Sequence, residues 1–141
     1  MAQDRDDNLS QISYEAQNYQ QQAQFMQQQL NSIQLNITEI GSALGTLKNI
    51  DKAKDNEILL PLGAGTHVSG KITDTQNILI NIGSGVIAQK PLAEAVVILE
   101  ERLSRLESNR DKLQEALLEL SKRLEQLDSE AKQILAKRGQ K

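Results

Sequence analysis

From Leu9 onward, apolar or small side chains recur at Ile12, Ala16, Tyr19, Ala23, Met26, Leu30, Ile33, Ile37, Ile40, Leu44 and Leu47, in an unbroken alternation of three and four residues. A stripe of that period stays on one helix face only when the helix coils around a partner, so the spacing predicts a coiled-coil seam. Gln17, Gln20, Gln21, Gln22, Gln24, Gln27, Gln28 and Gln29 fill the positions between. Gln-rich tracts can be disordered and aggregation-prone, but such tracts carry no apolar register. Asp4, Asp6, Asp7 and Asn8 supply negative charge and a cap at the expected helix start.

The alternation returns at Leu92, Val96, Leu99, Leu103, Leu106, Arg110, Leu113, Leu117, Leu120, Leu124, Leu127, Ala131 and Ile134, with Arg110 its one charged member. Pro91 suits the first turn of this second helix, Glu94 its dipole, and Lys137, Arg138 and Gly139 its end. At about 1.5 Å per residue both seams run to roughly 60–65 Å. Matched seams joined by a compact insert imply an antiparallel hairpin of helices within one chain. Leu47 then meets Leu92 at the base, and Leu9 lies opposite Leu127 and Ala131 at the far end. A parallel homodimer through each helix separately is the alternative, but it strands the middle segment and requires no length match. The same antiparallel sum places Arg110 near Met26 and Leu30, beside Gln28 and Gln29, with its stem packed and its guanidinium reaching out.

The middle segment has no helical period. Residues 57–62 are extended in character, Gly63-Ala64-Gly65 is a turn, and residues 66–72 resume as strand. After a turn-like stretch at 73–77 come Ile78 to Ile82, the turn Gly83-Ser84-Gly85, and Val86 to Gln89. Four short strands in two hairpins fit, with Pro61 at an edge or bulge because it lacks a donor. The organisation is therefore 1–52 N-terminal coiled-coil helix, 53–90 two hairpins, and 91–141 C-terminal coiled-coil helix. Such hairpins are marginal alone and the helices are already committed to each other, so the aliphatic strand faces and open edges need other subunits. The candidate interface comprises Ile58, Leu60, Leu62, Val68, Ile72, Ile78, Ile80, Ile82 and Val86.

Composition narrows the function. One Phe, two Tyr and no Trp, with 38% apolar residues, are thin material for a self-sufficient globule. The absence of cysteine excludes disulfides, thiolate metal sites and thiol nucleophiles, and a net charge of −3 argues against a general nucleic-acid binder. The N-terminus has no apolar run and nothing approaches the roughly 20 residues of a membrane span, so a cytoplasmic protein is expected. His67 is the only histidine, which leaves no His-based metal cluster or Ser-His-Asp relay. Gly65 to Lys71 matches the first seven places of a phosphate-binding loop, but Ile72 stands where Ser or Thr would hold magnesium, and strand residues follow where a helix should begin. Asn8-Leu9-Ser10 and Asn36-Ile37-Thr38 match glycosylation acceptors with no secretory signal before them, and the Gly41/Gly45 spacing reads as helix weakening near the base. Glu100, Glu101 and the alternating charges beyond them read as a solvated face. No cofactor and no enzymatic activity are expected.

A long helix, Leu60-Pro61-Leu62-Gly63-Ala64-Gly65, a second hairpin with Ile82-Gly83-Ser84-Gly85, and a long returning helix resemble the prefoldin alpha-type subunits, particularly archaeal ones. The resemblance implies an α+β fold, a long antiparallel two-helix coiled coil whose two basal β-hairpins assemble into an intersubunit β-barrel. It implies a hexamer of two alpha-type and four beta-type subunits, capture of unfolded polypeptides at the coiled-coil tips without ATP, and delivery to a group II chaperonin. Physically, a coil end offers apolar side chains with no next layer to bury them. Candidates are Met1, Leu9 and Ile12 on one helix and Ile134 and Leu135 on the other. Leu9, Ile12 and Ile134 also lie on the seam, whereas Leu135 is off it. Val97 and Ile98 flank the seam near the strands and suit docking of the helix onto them. A structural spacer, docked through its hairpins, is the competing reading.

Overall fold

The computed structural model describes residues 2–139. Its elements are α1 (Ala2–Lys48), a single 3-10 turn (Ile50–Ala53), β1 (Glu57–Gly63), β2 (Thr66–Lys71), β3 (Asn77–Gly83), β4 (Val86–Pro91) and α2 (Leu92–Arg138). The fold is α+β, with two antiparallel helices of 47 residues each and two β-hairpins between them. The chain divides into two units, Met1–Leu35 with Glu107–Lys141, and Asn36–Leu106.

In the first unit the seam decides what is covered. On α1 every seam residue from Leu9 to Ile33 is withdrawn from solvent, joined only by Glu15, and on α2 the seam from Arg110 to Ile134 is withdrawn likewise. The antiparallel sense shows in ion pairs across the helices, Asp6 with Arg138 at 2.8 Å and Glu15 with Arg123 at 3.5 Å. These pairs are solvated and contribute about 0–1 kcal/mol each, so they mark register more than they supply stability. Burial is complete at Leu127 and nearly so at Leu30, and partial elsewhere on the seam, because a two-stranded coil has no third helix to close over it. Helix α1 begins at Ala2, which places Asp4 in its first turn and Asn8 well inside it. The cap expected from Asn8 is therefore not there.

Arg110 occupies its seam position with a mostly covered side chain, and its Nε donates to the carboxylate of Asp111, 3.2 Å away on the same helix. The guanidinium thus finds its partner along α2, while the stem packs in the seam. An uncharged side chain there removes a polar group from an apolar stripe. Arg110→Leu is expected to stabilise the chain by about 1 kcal/mol, read as a higher melting temperature by circular dichroism. A lower one would show that the arginine is required for register.

In the second unit Ile37, Ile40, Leu44 and Leu47 of α1 and Leu92, Val96, Leu99, Leu103 and Leu106 of α2 continue the seam, and Lys48 meets Glu100 at 3.5 Å. Gly41 and Gly45 face open space, and no packing contact in the unit explains them. The two hairpins are separate two-stranded antiparallel sheets built alike. In each, the register shifts by one residue just before the turn, between Pro61 and Gly63 and between Asn81 and Gly83. The two turn residues then both have positive φ, Ala64 at 51° and Gly65 at 76°, Ser84 at 50° and Gly85 at 78°. That is the tight turn whose twist matches paired strands, and glycine fits its second place without strain. Pro61 sits at the bulge, as its missing donor requires. The strand ends differ from expectation. Pro91 closes β4 opposite Asn77, one residue before the helix, and Ile72 lies beyond β2, where it forms a lone parallel bridge to Lys54.

A compact polar lock ties the loop between the hairpins to the 3-10 turn that follows α1. Thr75, 2% exposed, donates its hydroxyl to Asp51 Oδ1 at 2.7 Å, and the Gln76 side-chain amide donates to the same oxygen at 3.2 Å. The Gln76 carbonyl accepts the Leu92 amide at 2.9 Å, so the loop also fixes the start of α2. Removing the hydroxyl while keeping shape isolates this lock. Thr75→Val is expected to destabilise the chain by about 1–2 kcal/mol in urea unfolding; an unchanged midpoint would mean that the bond adds nothing.

Candidate functional site

The strands present apolar side chains on both faces. Register and the two-residue period put Ile58, Leu60 and Val68 on one face of the first hairpin, and Ile78, Ile80 and Ala88 on one face of the second. Of the nine side chains expected at an interface, Leu60, Leu62, Val68, Ile82 and Val86 are exposed, Ile58, Ile72 and Ile78 are partly covered, and Ile80 is buried. Gly70 lies across from Ile58, and a Cβ there would stand 3.0 Å from Leu60 Cδ1, so the glycine makes room for the leucine. The opposite faces carry Leu59, Leu79 and Ile87, which are barer still, with Leu79 72% exposed. Sequence reasoning passed over these three. The signal was present, since runs such as Ile78-Leu79-Ile80 are apolar at every position, the pattern of a strand covered on both sides. Each sheet also leaves both outer edges unpaired.

The loop between the hairpins is held by Asp74. Its carboxylate accepts the Asn77 side-chain amide at 2.9 Å and the Gln76 and Asn77 backbone N–H groups at 2.9 and 3.2 Å. The Asn77 amide foremost, then the Gln76 N–H, hold its pKa below the usual carboxylate range. A depressed carboxylate contributes stability above its unfolded pKa and loses it as pH falls through the folded value, so these hydrogen bonds support the loop at neutral pH and weaken in acid.

On α2, Val97 is exposed and Ile98 partly covered beside Ala93, Glu94 and Glu101. The helix meets the second hairpin through Arg102, whose guanidinium donates to the Asn81 carbonyl. Asn81 in turn accepts the Gly83 N–H through its side chain at 2.9 Å, bracing the bulge.

In the other unit the structure brings Leu9 and Ile12 into one groove with Leu124, Leu127 and Ala131, as the antiparallel sum requires. Ile134 lies with Ile12 and Leu127 on the adjoining side. All three candidates on the seam are partly covered. Leu135 stands outside, 53% exposed, and Met1 lies outside the described residues. Phe25, the only Phe of the chain, is 61% exposed off the seam of α1, and the spacing of the inner stripe carries no signal of its placement.

His67 is exposed on β2 opposite Pro61, and the phosphate-loop-like string runs through the turn and along β2 with no helix after it. Among the described residues no group of His, Cys, Asp and Glu could hold a metal ion, and no helix is long and apolar enough to cross a membrane.

Comparison with known proteins places this geometry. The family model of the prefoldin subunit matches residues 19–137. Prefoldin subunit alpha of Pyrococcus horikoshii is 35% identical over 133 residues, covering 93% of this chain and 90% of that protein. Prefoldin subunit alpha of Methanoculleus marisnigri is 34% identical over 128 residues, covering 86% of each. Among solved structures, filamentous PFD from Methanocaldococcus jannaschii, determined by cryo-EM, superposes with a TM-score of 0.70 at 22% identity over 82% of this chain and 96% of that one, a likeness of fold. With hairpins, turns and seams laid out along nearly the whole length that these relatives share, the chain belongs to the prefoldin family as an alpha-type subunit, a non-enzymatic chaperone subunit.

Proposed function

We infer that this subunit works in a hexamer of two alpha-type and four beta-type subunits, captures unfolded polypeptides at its coiled-coil tip without ATP, and passes them to a group II chaperonin in the cytoplasm. The observation that carries the reading is an exposed apolar side chain outside the seam near the end of α2, Leu135, in the same unit as the partly covered Leu9, Ile12 and Ile134. A holdase needs apolar surface that stays accessible, and helix ends supply it because the seam stops there. The exposed apolar side chains of the strands are the assembly surface in this reading, since sheets of two strands are marginal alone.

The test mixes the chain with a beta-type subunit and follows aggregation of a chemically denatured client by light scattering, with no nucleotide present. The expected result is a defined hetero-oligomer that suppresses scattering. An oligomer that forms but leaves aggregation unchanged would identify a spacer instead.

A further inference from the structure

Beside Phe25 the two helices leave a groove of about 580 Å³, within the size range of clefts that hold small ligands. Its apolar wall is Phe25, Ile33, Leu113 and Ala116. Gln28, Gln29 and Asn109 add neutral amides, each able to donate and to accept. Lys112 is the one charged residue of the lining, and it forms no ion pair among the described residues. Helix α1 carries no charged side chain from residue 16 to residue 38, so nothing on that wall repels an approaching chain of either sign.

The spacing of the outer side chains decides what kind of occupant fits. A third helix packing into this groove would need apolar residues every three or four positions. In Phe25's row the neighbours at that spacing are Asn18, Gln21, Gln28 and Ser32, all polar, and the next exposed apolar members, Tyr14 and Leu35, each lie about three turns away. A single aromatic anchor with amides beside it suits one large apolar side chain of an extended chain, whose backbone N–H and C=O groups the amides can meet without regard to sequence. The lone cation adds a preference for a neighbouring carboxylate.

Resting on the client-capture reading above, we propose that this groove is a second client-binding site, midway along the helices, which takes an extended unfolded segment with a large apolar residue next to an acidic one. The full chain, assembled with its beta-type partner and carrying a photo-crosslinking residue at position 28 or at position 133, is irradiated with a fluorescent peptide of Leu-Phe-Asp in Gly/Ser flanks. Crosslinking at position 28 is expected. Phe25→Ala should weaken it about tenfold. Because Phe25 is exposed, the melting curve of that variant should match the parent. A peptide with Lys in place of Asp should bind about threefold more weakly, and Lys112→Glu should reverse that preference.

Crosslinking at both positions supports groove and tip together, and at 28 alone it supports the groove and sinks the tip reading. Crosslinking at 133 alone overturns the groove while the tip reading stands, and at neither position it overturns both. A crosslink from position 28 to a second copy of this chain, or a charge preference unmoved by Lys112→Glu, would also overturn the proposal.

Discussion

Deletion of residues 1–12 together with 132–141 is expected to abolish suppression of client aggregation and leave assembly intact. The deletion removes Leu9, Ile12, Ile134 and Leu135. Each such side chain, when covered by a client, contributes on the order of 1.5–3 kcal/mol, so the loss of several together takes capture from useful to negligible affinity. The strands lie in the unit Asn36–Leu106, which the deletion does not touch. Seam residues from Ala16 on α1 and up to Ala131 on α2 remain. The ion pair of Asp6 with Arg138 goes with the deletion, but its members are half exposed and its absence is a small loss. The readouts are light scattering for client protection and size-exclusion chromatography for assembly. A truncated assembly that still protects the client would refute capture at the tip.

The second large effect is expected at the strands. Leu60 is 44% exposed and Val86 55% exposed in the single chain, so Leu60→Asp with Val86→Asp does little to the isolated fold. In an assembly that covers these side chains, each carboxylate becomes a buried, unpaired charge, which costs several kcal/mol. Two of them weaken association by about a thousandfold or more. The double variant should therefore elute as single chains with an unchanged helical circular dichroism spectrum. Lys122→Glu, at an exposed position of α2, is the control expected to assemble. If the double variant assembles as the parent does, the faces bearing Leu60 and Val86 are not the contact.

The helices were legible because a coiled coil writes its contacts into one period. Every seam residue that the 3,4 alternation singled out on α1 is withdrawn from solvent, and of the other residues of that helix only Glu15 joins them. The hairpin turns were legible as well, since left-handed backbone at two successive residues calls for glycine. What escaped depends on contacts between distant residues or on exact ends. Nothing local in Asp51 or Thr75 announces that they will meet across the loop. Pro91 satisfies the rules for a strand end and for a helix start equally, and its pairing with Asn77 decides. Phe25 carries no mark of its exposure, because an aromatic off the seam reads the same whether covered or bare. The tip residues share their chemistry with the seam, so sequence alone names candidates there without ranking Leu9 against Ile134.

The two hairpins also set an order in time. Each joins its strands through a two-residue turn, so the pairing is local and closes within about 1–10 μs. Helix α2 supplies 47 residues that follow the strands in the chain, and at roughly 5–20 residues per second their synthesis takes several seconds. During translation the strands can therefore pair, each hairpin only marginally stable alone, before α1 has its antiparallel partner, and Leu59, Leu79 and Val86, bare even in the finished chain, have nothing to cover them then. The emerging subunit is itself a chain with uncovered apolar surface, and its first need is a neighbour, well before it has a coiled coil to offer anyone else.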